Sequence, residues 1–179
     1  MHCVALMFLA LLFLGNTDAL AQTTGPNAAT PELKPLDRFV GTWEVEVFDK
    51  SGSRIGTAQF QAKWILNGRF VEQRQRFLLG PSGKETQLRT LMGYDTEKSV
   101  YQRWTFLENG DVITGEGSWS PDQEQLIWNL QQSQSPQSST LVAKFLDSNS
   151  STWELTLKNG MGQVTGKIEG QNQRLNDAP

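Results

Sequence analysis

The chain has 179 residues, a formal net charge of −3 at pH 7, one histidine and one cysteine. His2 and Cys3 both precede an N-terminal apolar run, so the rest of the chain holds no disulfide partner, no histidine ligand for a metal or haem, and no Ser-His or Cys-His pair for nucleophilic catalysis. The nearly balanced charge and the lack of a basic run predict no nucleic-acid partner and no attachment to an anionic membrane surface.

The first 21 residues are predicted to be a signal peptide. Val4 to Leu14 form an apolar run of the length typical of such a peptide, and Ala19-Leu20-Ala21 matches the small-x-small cleavage pattern. A membrane anchor needs about 20 apolar residues, which is more than this run provides. We therefore expect cleavage after Ala21, export to the periplasm or the outside of the cell, and no membrane anchor.

The next segment, residues 22–35, is rich in Thr, Gly, Pro and Ala and is predicted to be a flexible leader. Within it, Thr30 can cap a short helix that has Pro31 at its first position and extends to Phe39, although a single turn fits the same residues. The folded domain is expected to span residues 36–170, followed by a C-terminal tail at 171–179.

From Gly41 onward, apolar residues alternate with polar ones, which is the period of half-buried strands. Three Asn-Gly pairs, which begin at Asn67, Asn109 and Asn159, predict hairpin turns with the positive φ of type I′. The pattern predicts ten strands at about 41–48, 55–66, 69–79, 85–94, 98–107, 111–119, 124–132, 139–147, 151–158 and 162–170. Because the connections are short, we predict an all-β, antiparallel up-and-down meander that closes into a roughly ten-stranded barrel; an all-β sandwich is the alternative.

All six tryptophans follow the predicted signal peptide, and each lies on the more apolar phase of its strand. We therefore expect all of them to point into the barrel: Trp43, Trp64, Trp104, Trp119, Trp128 and Trp153. One interpretation is an aromatic-lined cavity for an apolar or planar molecule, because a barrel of about ten strands leaves space inside. The other is a packed core in which each indole N–H has a partner.

The strand at 69–79 has polar residues in both phases of its alternation. If Phe70 faces the lumen, Glu72 and Arg74 do so as well, and Gln102 joins them from a neighbouring strand. A buried carboxylate has to be paired, so Glu72 with Arg74 or Arg89 would form a polar floor that orients a ligand. The alternative is a rim strand with both faces partly wet.

Three short motifs resemble those of a known family. Residues 39–43 (FVGTW), 66–72 (LNGRFVE) and 92–95 (MGYD) are similar to the GTW, GGRF and GYD signatures of a family of domains of unknown function in the calycin clan. The resemblance covers roughly residues 36–170 and implies a small lipocalin-like barrel, of a kind that is often exported, without an established activity. Related haem-binding barrels of the nitrobindin type use a histidine ligand, which this chain lacks beyond its N-terminal segment; Tyr94 or Tyr101 would have to replace it.

Binding is the favoured function: the exported barrel would take up a small hydrophobic or planar ligand, and we expect no metal or other cofactor. The residues predicted to form that site are Trp43, Trp64, Phe70, Glu72, Arg74, Gln102, Trp104, Trp119 and Trp128. A second hypothesis is a histidine-free isomerase or cyclase in which Glu72 and Tyr101 transfer protons. A third is a protein-binding or inhibitory barrel that uses the polar loops at 133–139 and 147–151; it predicts a filled lumen with an exposed apolar patch near them.

Overall fold

The computed structural model describes residues 25–27, 30–79, 84–133 and 135–175, and the predicted signal peptide lies outside these ranges. Two 3₁₀ segments, Pro31–Phe39 and Pro121–Gln123, accompany ten strands. The strands are β1 (Gly41–Asp49), β2 (Arg54–Ile65), β3 (Phe70–Leu79), β4 (Lys84–Asp95), β5 (Val100–Leu107), β6 (Val112–Ser120), β7 (Gln125–Gln132), β8 (Ser138–Phe145), β9 (Ser150–Lys158) and β10 (Val164–Arg174).

The strands form one closed antiparallel barrel. Each strand pairs with its neighbours in the chain, and β1 closes the ring by pairing with β10, where Val45 lies opposite Asn172 and Val47 opposite Gly170. Closure leaves no sheet edge with unpaired backbone groups. The predicted barrel is confirmed and the alternative sandwich is wrong. The last strand continues to Arg174, past the domain end predicted at residue 170.

The three Asn-Gly pairs all lie in turns, but their backbones differ. Asn67 and Gly68 have φ of 57° and 71°, so both residues are in the left-handed region that the prediction requires. In the second pair only Gly110 has positive φ, and in the third pair neither residue does, because Gly162 takes that conformation instead. The Asn159 side chain there accepts backbone N–H groups from two later residues of the turn. The expectation of positive φ at both residues is therefore correct for one pair of the three.

The predicted short helix at the N-terminus is present as a 3₁₀ segment, Pro31–Phe39. Pro31 occupies its first position as expected, whereas Thr30 makes no side-chain capping bond. Pro35 lies inside the segment and has no N–H to donate, which is compatible with a short 3₁₀ run but interrupts α-helical bonding. Within the described ranges, no helix is long and apolar enough to cross a bilayer.

The 3₁₀ segment Pro31–Phe39 covers the end of the barrel at which the odd-numbered strands begin. We call this the closed end. Leu33 and Leu36 of the segment are fully buried in the main hydrophobic cluster. Aromatic side chains of the barrel donate hydrogen bonds to it: Trp43 Nε1 to the Phe39 carbonyl at 3.0 Å, Trp64 Nε1 to Asp37 Oδ1 at 2.8 Å, and the Tyr101 hydroxyl to the Glu32 carbonyl at 2.6 Å. Since buried indole and phenol groups need such partners, the segment satisfies these three donors, whereas the buried Trp128 Nε1 has no hydrogen-bond partner among the described residues.

Part of the predicted leader is also held against the barrel. The Asn27 N–H donates to the Gly68 carbonyl at 2.8 Å, in the turn between β2 and β3. A Cβ at Gly68 would lie 2.8 Å from the Asn27 nitrogen, so the close approach requires glycine there. Residues 25–27 are therefore docked on the turn, although a flexible leader was expected.

Candidate functional site

The pairing registers decide which side chains face the inside of the barrel, because residues directly opposite each other share a face of the sheet. Trp43 and Phe60, for example, are partners across β1 and β2, and their rings stack at 5.8 Å. When the register is traced from strand to strand around the barrel, five tryptophans face inward, as predicted: Trp43, Trp64, Trp119, Trp128 and Trp153.

Trp104 is the exception, and the prediction that it points inward is wrong. Its partner on β4 is Leu91, on the outer face, while Arg103 and Thr105 take the inward positions of β5. Outside the barrel, the Trp104 ring lies 6.2 Å from the ring of Phe70. The indole is thus covered by a neighbouring aromatic side chain on the surface rather than by the lumen.

The predicted polar floor inside the barrel is also wrong. Phe70, Glu72 and Arg74 all lie on the outer face of β3, and the opposite phase, which includes Gln73 and Gln75, faces inward.

Gln102 likewise faces outward. It is the partner of Gly93, and its amide donates to Asp95 Oδ2 at 3.0 Å. Its role in the structure is therefore to hold the turn between β4 and β5.

Glu72 is buried on the outside of the barrel wall, with 3% of its side chain exposed. One carboxylate oxygen pairs with Arg74 at 3.3 Å and the other pairs with Arg89. These arginines are partners across β3 and β4, and more than half of each side chain is exposed. The ion pairing of Glu72 was expected. Its burial, however, comes from the two arginine side chains that cover it on the outside of the barrel, and not from a position in the lumen.

The paired arginines predict a non-additive double substitution. We expect Arg74→Met and Arg89→Met each to lower the free energy of unfolding by less than about 0.5 kcal/mol, because the other arginine still pairs with Glu72. The double variant should lose about 2 kcal/mol, since a buried carboxylate is then left uncompensated. Urea unfolding of the four proteins measures the coupling. Additive losses would show that water replaces the arginines.

The tryptophans at the closed end are packed. Trp43, Trp64 and Trp128 have at most 2% of their surface exposed. Trp119 lies 6.1 Å from the ring of Phe145, with the Arg38 guanidinium 5.8 Å over its face. For these four residues the structure favours a packed core over a cavity lining, although the Trp128 N–H lacks the partner that this interpretation expects, within the described residues.

An interior cavity of about 390 Å³ lies between this closed-end layer and the opposite rim of the barrel. It extends from Phe39 to Gln137 and Thr165, which are exposed at the end where the even-numbered strands begin. Its apolar wall consists of Val45, Phe60, Phe77, Leu88, Ile113, Leu130, Leu141, Ala143, Trp153, Leu155 and Leu157. Small-molecule sites typically measure about 300–1,000 Å³ and are mostly apolar, so this cavity has the size and the lining of such a site.

None of the nine residues predicted to form a ligand site lines this cavity. Four lie in the closed-end layer and five on the outer face: Trp43, Trp64, Trp119 and Trp128, then Phe70, Glu72, Arg74, Gln102 and Trp104. Ligand binding by these residues stays a prediction. The filled lumen that the protein-binding hypothesis predicts is absent from the described part of the barrel.

Arg103 brings a positive charge into the cavity. Its Nε donates to Thr105 Oγ1 at 3.2 Å, and its guanidinium carbon lies 5.9 Å from the centre of the Trp128 ring. Thr105 in turn shares a hydrogen bond of 2.9 Å with the buried Thr90. Burial lowers the pKa of Arg103 from 12.5 to about 10, so the side chain is still cationic at neutral pH.

Trp153 is the one tryptophan that lines the cavity. Its Nε1 donates to Asn172 Oδ1 at 3.1 Å, and the Asn172 amide donates to Ser151 Oγ at 2.9 Å. The indole lies flat against its partner residue on β10, Gly170, where any Cβ would overlap the ring. Gly170 and the Asn172 amide together fix the orientation of the Trp153 indole in the cavity wall.

Filling the space above Gly170 should displace the indole. We expect Gly170→Ala to lower the free energy of unfolding by about 1–2 kcal/mol and to shift tryptophan emission, because overpacking forces the ring into the cavity. Gly166→Ala on the same strand is the matched control, since its Cβ would lie 3.3 Å from a flexible leucine methyl. In a Trp153→Leu background the Gly170→Ala loss should become smaller; an unchanged loss would contradict the contact.

Tyr101 and Glu72 lie on opposite faces of the barrel wall, so they cannot act on one ligand, and the proton-transfer pair of the enzyme hypothesis is wrong. The Tyr101 hydroxyl is engaged by the backbone of the 3₁₀ segment. Burial, with smaller contributions from Tyr94 and Glu32, raises the pKa of Tyr101 to about 12. This phenol is therefore a structural donor.

The raised pKa of Tyr101 predicts a late spectroscopic titration. We expect the phenolate absorbance of Tyr101 to appear only near pH 12, about two units above an exposed tyrosine. The difference between the wild-type protein and Tyr101→Phe isolates this group, because the chain has two tyrosines. A difference signal that is complete by pH 10 would show that the hydroxyl is open to water.

The sequence analysis missed Arg103 and left Trp153 out of the site. A signal for the phase of β5 was present in β6, where Gly115 and Gly117 recur at a spacing of two. These glycines are the partners of Arg103 and Tyr101, and a Cβ at Gly117 would lie 2.6 Å from the Trp128 ring. Glycines at alternate positions of a strand mark a face on which neighbouring side chains need the space.

The model of a family described as "Protein of unknown function (DUF1579)" matches residues 28–174. No curated protein matches the chain. Among solved structures, the chain is similar to Rv2717c from M. tuberculosis, with a TM-score of 0.62 and 10% identity over 82% of this chain and 98% of that one. It is also similar to a redesigned beta barrel, mFAP0, bound to DFHBI, with a TM-score of 0.43 and 12% identity over 76% of this chain and 99% of that one. The likeness to Rv2717c is one of fold alone.

Proposed function

Because the chain belongs to the DUF1579 family, whose description assigns no activity, we propose a function from the site itself: the barrel binds a small, largely apolar molecule in its interior cavity. The observation that carries the proposal is the cavity of about 390 Å³, which is walled mainly by aliphatic and aromatic side chains and reaches solvent at one end. Polar side chains also line it, among them Arg103, Gln73 and Asn172. That combination is characteristic of small-molecule sites.

The closed end supports this proposal because it makes the floor of the cavity rigid. The hydrogen bonds from Trp43, Trp64 and Tyr101 tie the 3₁₀ segment to the barrel, and Trp128 lies beneath Arg103. A ligand that enters from the opposite rim meets walls that are already in place. Preformed walls reduce the conformational entropy lost on binding.

The N-terminal segment suggests where the binding takes place. We propose that cleavage after Ala21 releases an exported, lipocalin-like barrel, so that the ligand is met in the periplasm or outside the cell. Mass spectrometry of the protein from its native host tests this. A chain that begins at Gln22 supports the proposal, and a chain that retains Met1 contradicts it.

Binding in the cavity can be tested with Nile red, a neutral dye whose emission rises in apolar surroundings. We expect saturable binding by the wild-type protein and at least a tenfold loss in Leu141→Trp, because the larger side chain fills part of the cavity. Val142→Trp is the matched control, since the adjacent residue points to the outer face of the same strand. Binding that neither variant changes, or no binding by the wild-type protein, would contradict a lumenal site.

A further inference from the structure

Arg103 is a cation inside the cavity, and no anionic partner for it is found among the described residues. It lies one inward position beyond Tyr101 on β5, directly above the closed-end layer, and is therefore at the floor of the cavity. Among the described residues that line the cavity, none is Asp or Glu. The only other charged side chain in that lining is Lys158 at the rim, whose Nζ donates to Thr140 at 3.2 Å.

The terminal nitrogens of this guanidinium make no hydrogen bond to any residue that the structure describes. Arg103 donates from Nε to Thr105, and its guanidinium carbon lies over the Trp128 ring, 5.9 Å from the ring centre. In the described part of the chain it has no further hydrogen bond and no ion pair. A guanidinium carries five N–H donors in a planar fork, so four of them have no partner among the described residues, and Arg103 lines the cavity.

A charge in this position has a desolvation cost that, among the described residues, only the Thr105 hydrogen bond and the Trp128 ring offset in part. Removing an ionised side chain from bulk water is unfavourable unless it is paired and hydrogen-bonded, and the surrounding wall is mostly apolar. Arginines at the surface of the same barrel do have partners, such as Arg89 with Glu72. The geometry of Arg103 is thus that of a group whose charge partner is a ligand bound in the cavity.

Building on the binding function proposed above, we propose that the ligand is an amphipathic organic acid whose single anionic group pairs with Arg103 at the floor of the cavity. Its apolar body lies along Trp153, Leu155 and Leu141 and extends toward the open rim. The planar fork suits a carboxylate or a sulfonate, each of which accepts two parallel hydrogen bonds. Arg103 is the one cation that the described residues place at the floor, and it matches one negative charge, so a dianionic phosphate fits the site less well.

Two dyes that share one aromatic core test the charge requirement. 8-Anilino-1-naphthalenesulfonate carries a sulfonate, and N-phenyl-1-naphthylamine is its uncharged counterpart. We expect the wild-type protein to bind the anionic dye at least tenfold more tightly than the neutral one. Arg103→Met should lose that preference while it binds the neutral dye within about twofold of the wild-type affinity, which also shows that the variant is folded.

Variants at two other cations serve as controls. Lys158→Met at the rim and Arg69→Met on the exposed β2–β3 turn should keep the preference for the anionic dye, because neither residue is at the floor. If Arg103→Met keeps the preference, or if Lys158→Met loses it, the assignment of the anion to Arg103 is overturned while binding in the cavity stands. If neither dye binds to the wild-type protein, the binding function itself fails.

Decanoate and 1-decanol extend the test to carboxylates. Decanoate should displace the neutral dye from the wild-type protein at a concentration at least tenfold lower than 1-decanol, and Arg103→Met should remove that difference. Equal displacement by the acid and the alcohol from the wild-type protein would contradict a carboxylate site.

Discussion

Replacing Leu36 with alanine is expected to lower the free energy of unfolding by about 3 kcal/mol. Leu36 is completely buried, and it belongs to the same hydrophobic cluster as the inward tryptophans of the closed end. The loss combines the transfer free energy of the deleted methyl and methylene groups with the cost of the cavity that remains. Because the 3₁₀ segment is short, its position depends on Leu33 and Leu36 more than on its own backbone hydrogen bonds.

Urea unfolding followed by tryptophan fluorescence measures this effect. Lys34→Ala is the matched control, since Lys34 lies on the same segment and is exposed, and it should change the free energy of unfolding by less than about 0.5 kcal/mol. The native emission of Leu36→Ala should also move to longer wavelength, because the partners of Trp43 and Trp64 are on this segment. A loss below about 1 kcal/mol for Leu36→Ala would mean that the segment is not part of the cooperative core.

The barrel could be predicted because its first strands have one dry face and one wet face. In β1, Trp43, Val45 and Val47 are buried, and the residues between them are not. Such alternation fixes both the strand and its orientation, since a shift of one residue would expose the whole apolar set. Short turns between consecutive strands then leave antiparallel pairing of neighbours as the simplest topology.

The same reasoning failed where the outer face is itself covered. On β3 the wet phase contains a buried carboxylate, Glu72, because two long arginine side chains extend over it. On β5 the aromatic residue Trp104 lies outside, next to Phe70, while the charged residue Arg103 lies inside. Hydropathy assigns these positions the wrong way round, because it does not include which neighbours cover a side chain once the strands are paired.

The cavity was beyond prediction from the chain for a related reason. An interior filled by side chains and one that contains space have the same alternating pattern, and the difference depends on how each ring is oriented. Trp128 packs into the space above Gly117, whereas Trp153 lies flat on Gly170 and leaves the lumen next to it open. The residues that bound the space are therefore evident only when the registers are known.

The charge at the cavity floor leads to the second large effect: Arg103→Met should raise the free energy of unfolding of the ligand-free protein by about 2 kcal/mol. Methionine has a similar reach and an apolar end, so the variant keeps most of the packing over Trp128 and removes a cation that no carboxylate of the described residues compensates. Most substitutions of well-packed residues destabilise a protein, and a gain at an interior site indicates that the native residue is kept for another purpose.

The gain should be specific to this site and should reverse when the anion is supplied. Arg69→Met, at an exposed turn position, should stay within about 0.5 kcal/mol of the wild-type protein. In saturating decanoate the wild-type protein should recover the difference, because a ligand that binds only the folded state stabilises it in proportion to the logarithm of its concentration over Kd. Urea unfolding with and without decanoate measures both differences at a constant m-value. If Arg103→Met is instead less stable than the wild-type protein without ligand, the guanidinium stabilises the fold through Thr105 and Trp128. That result would contradict a role for Arg103 in binding an anion.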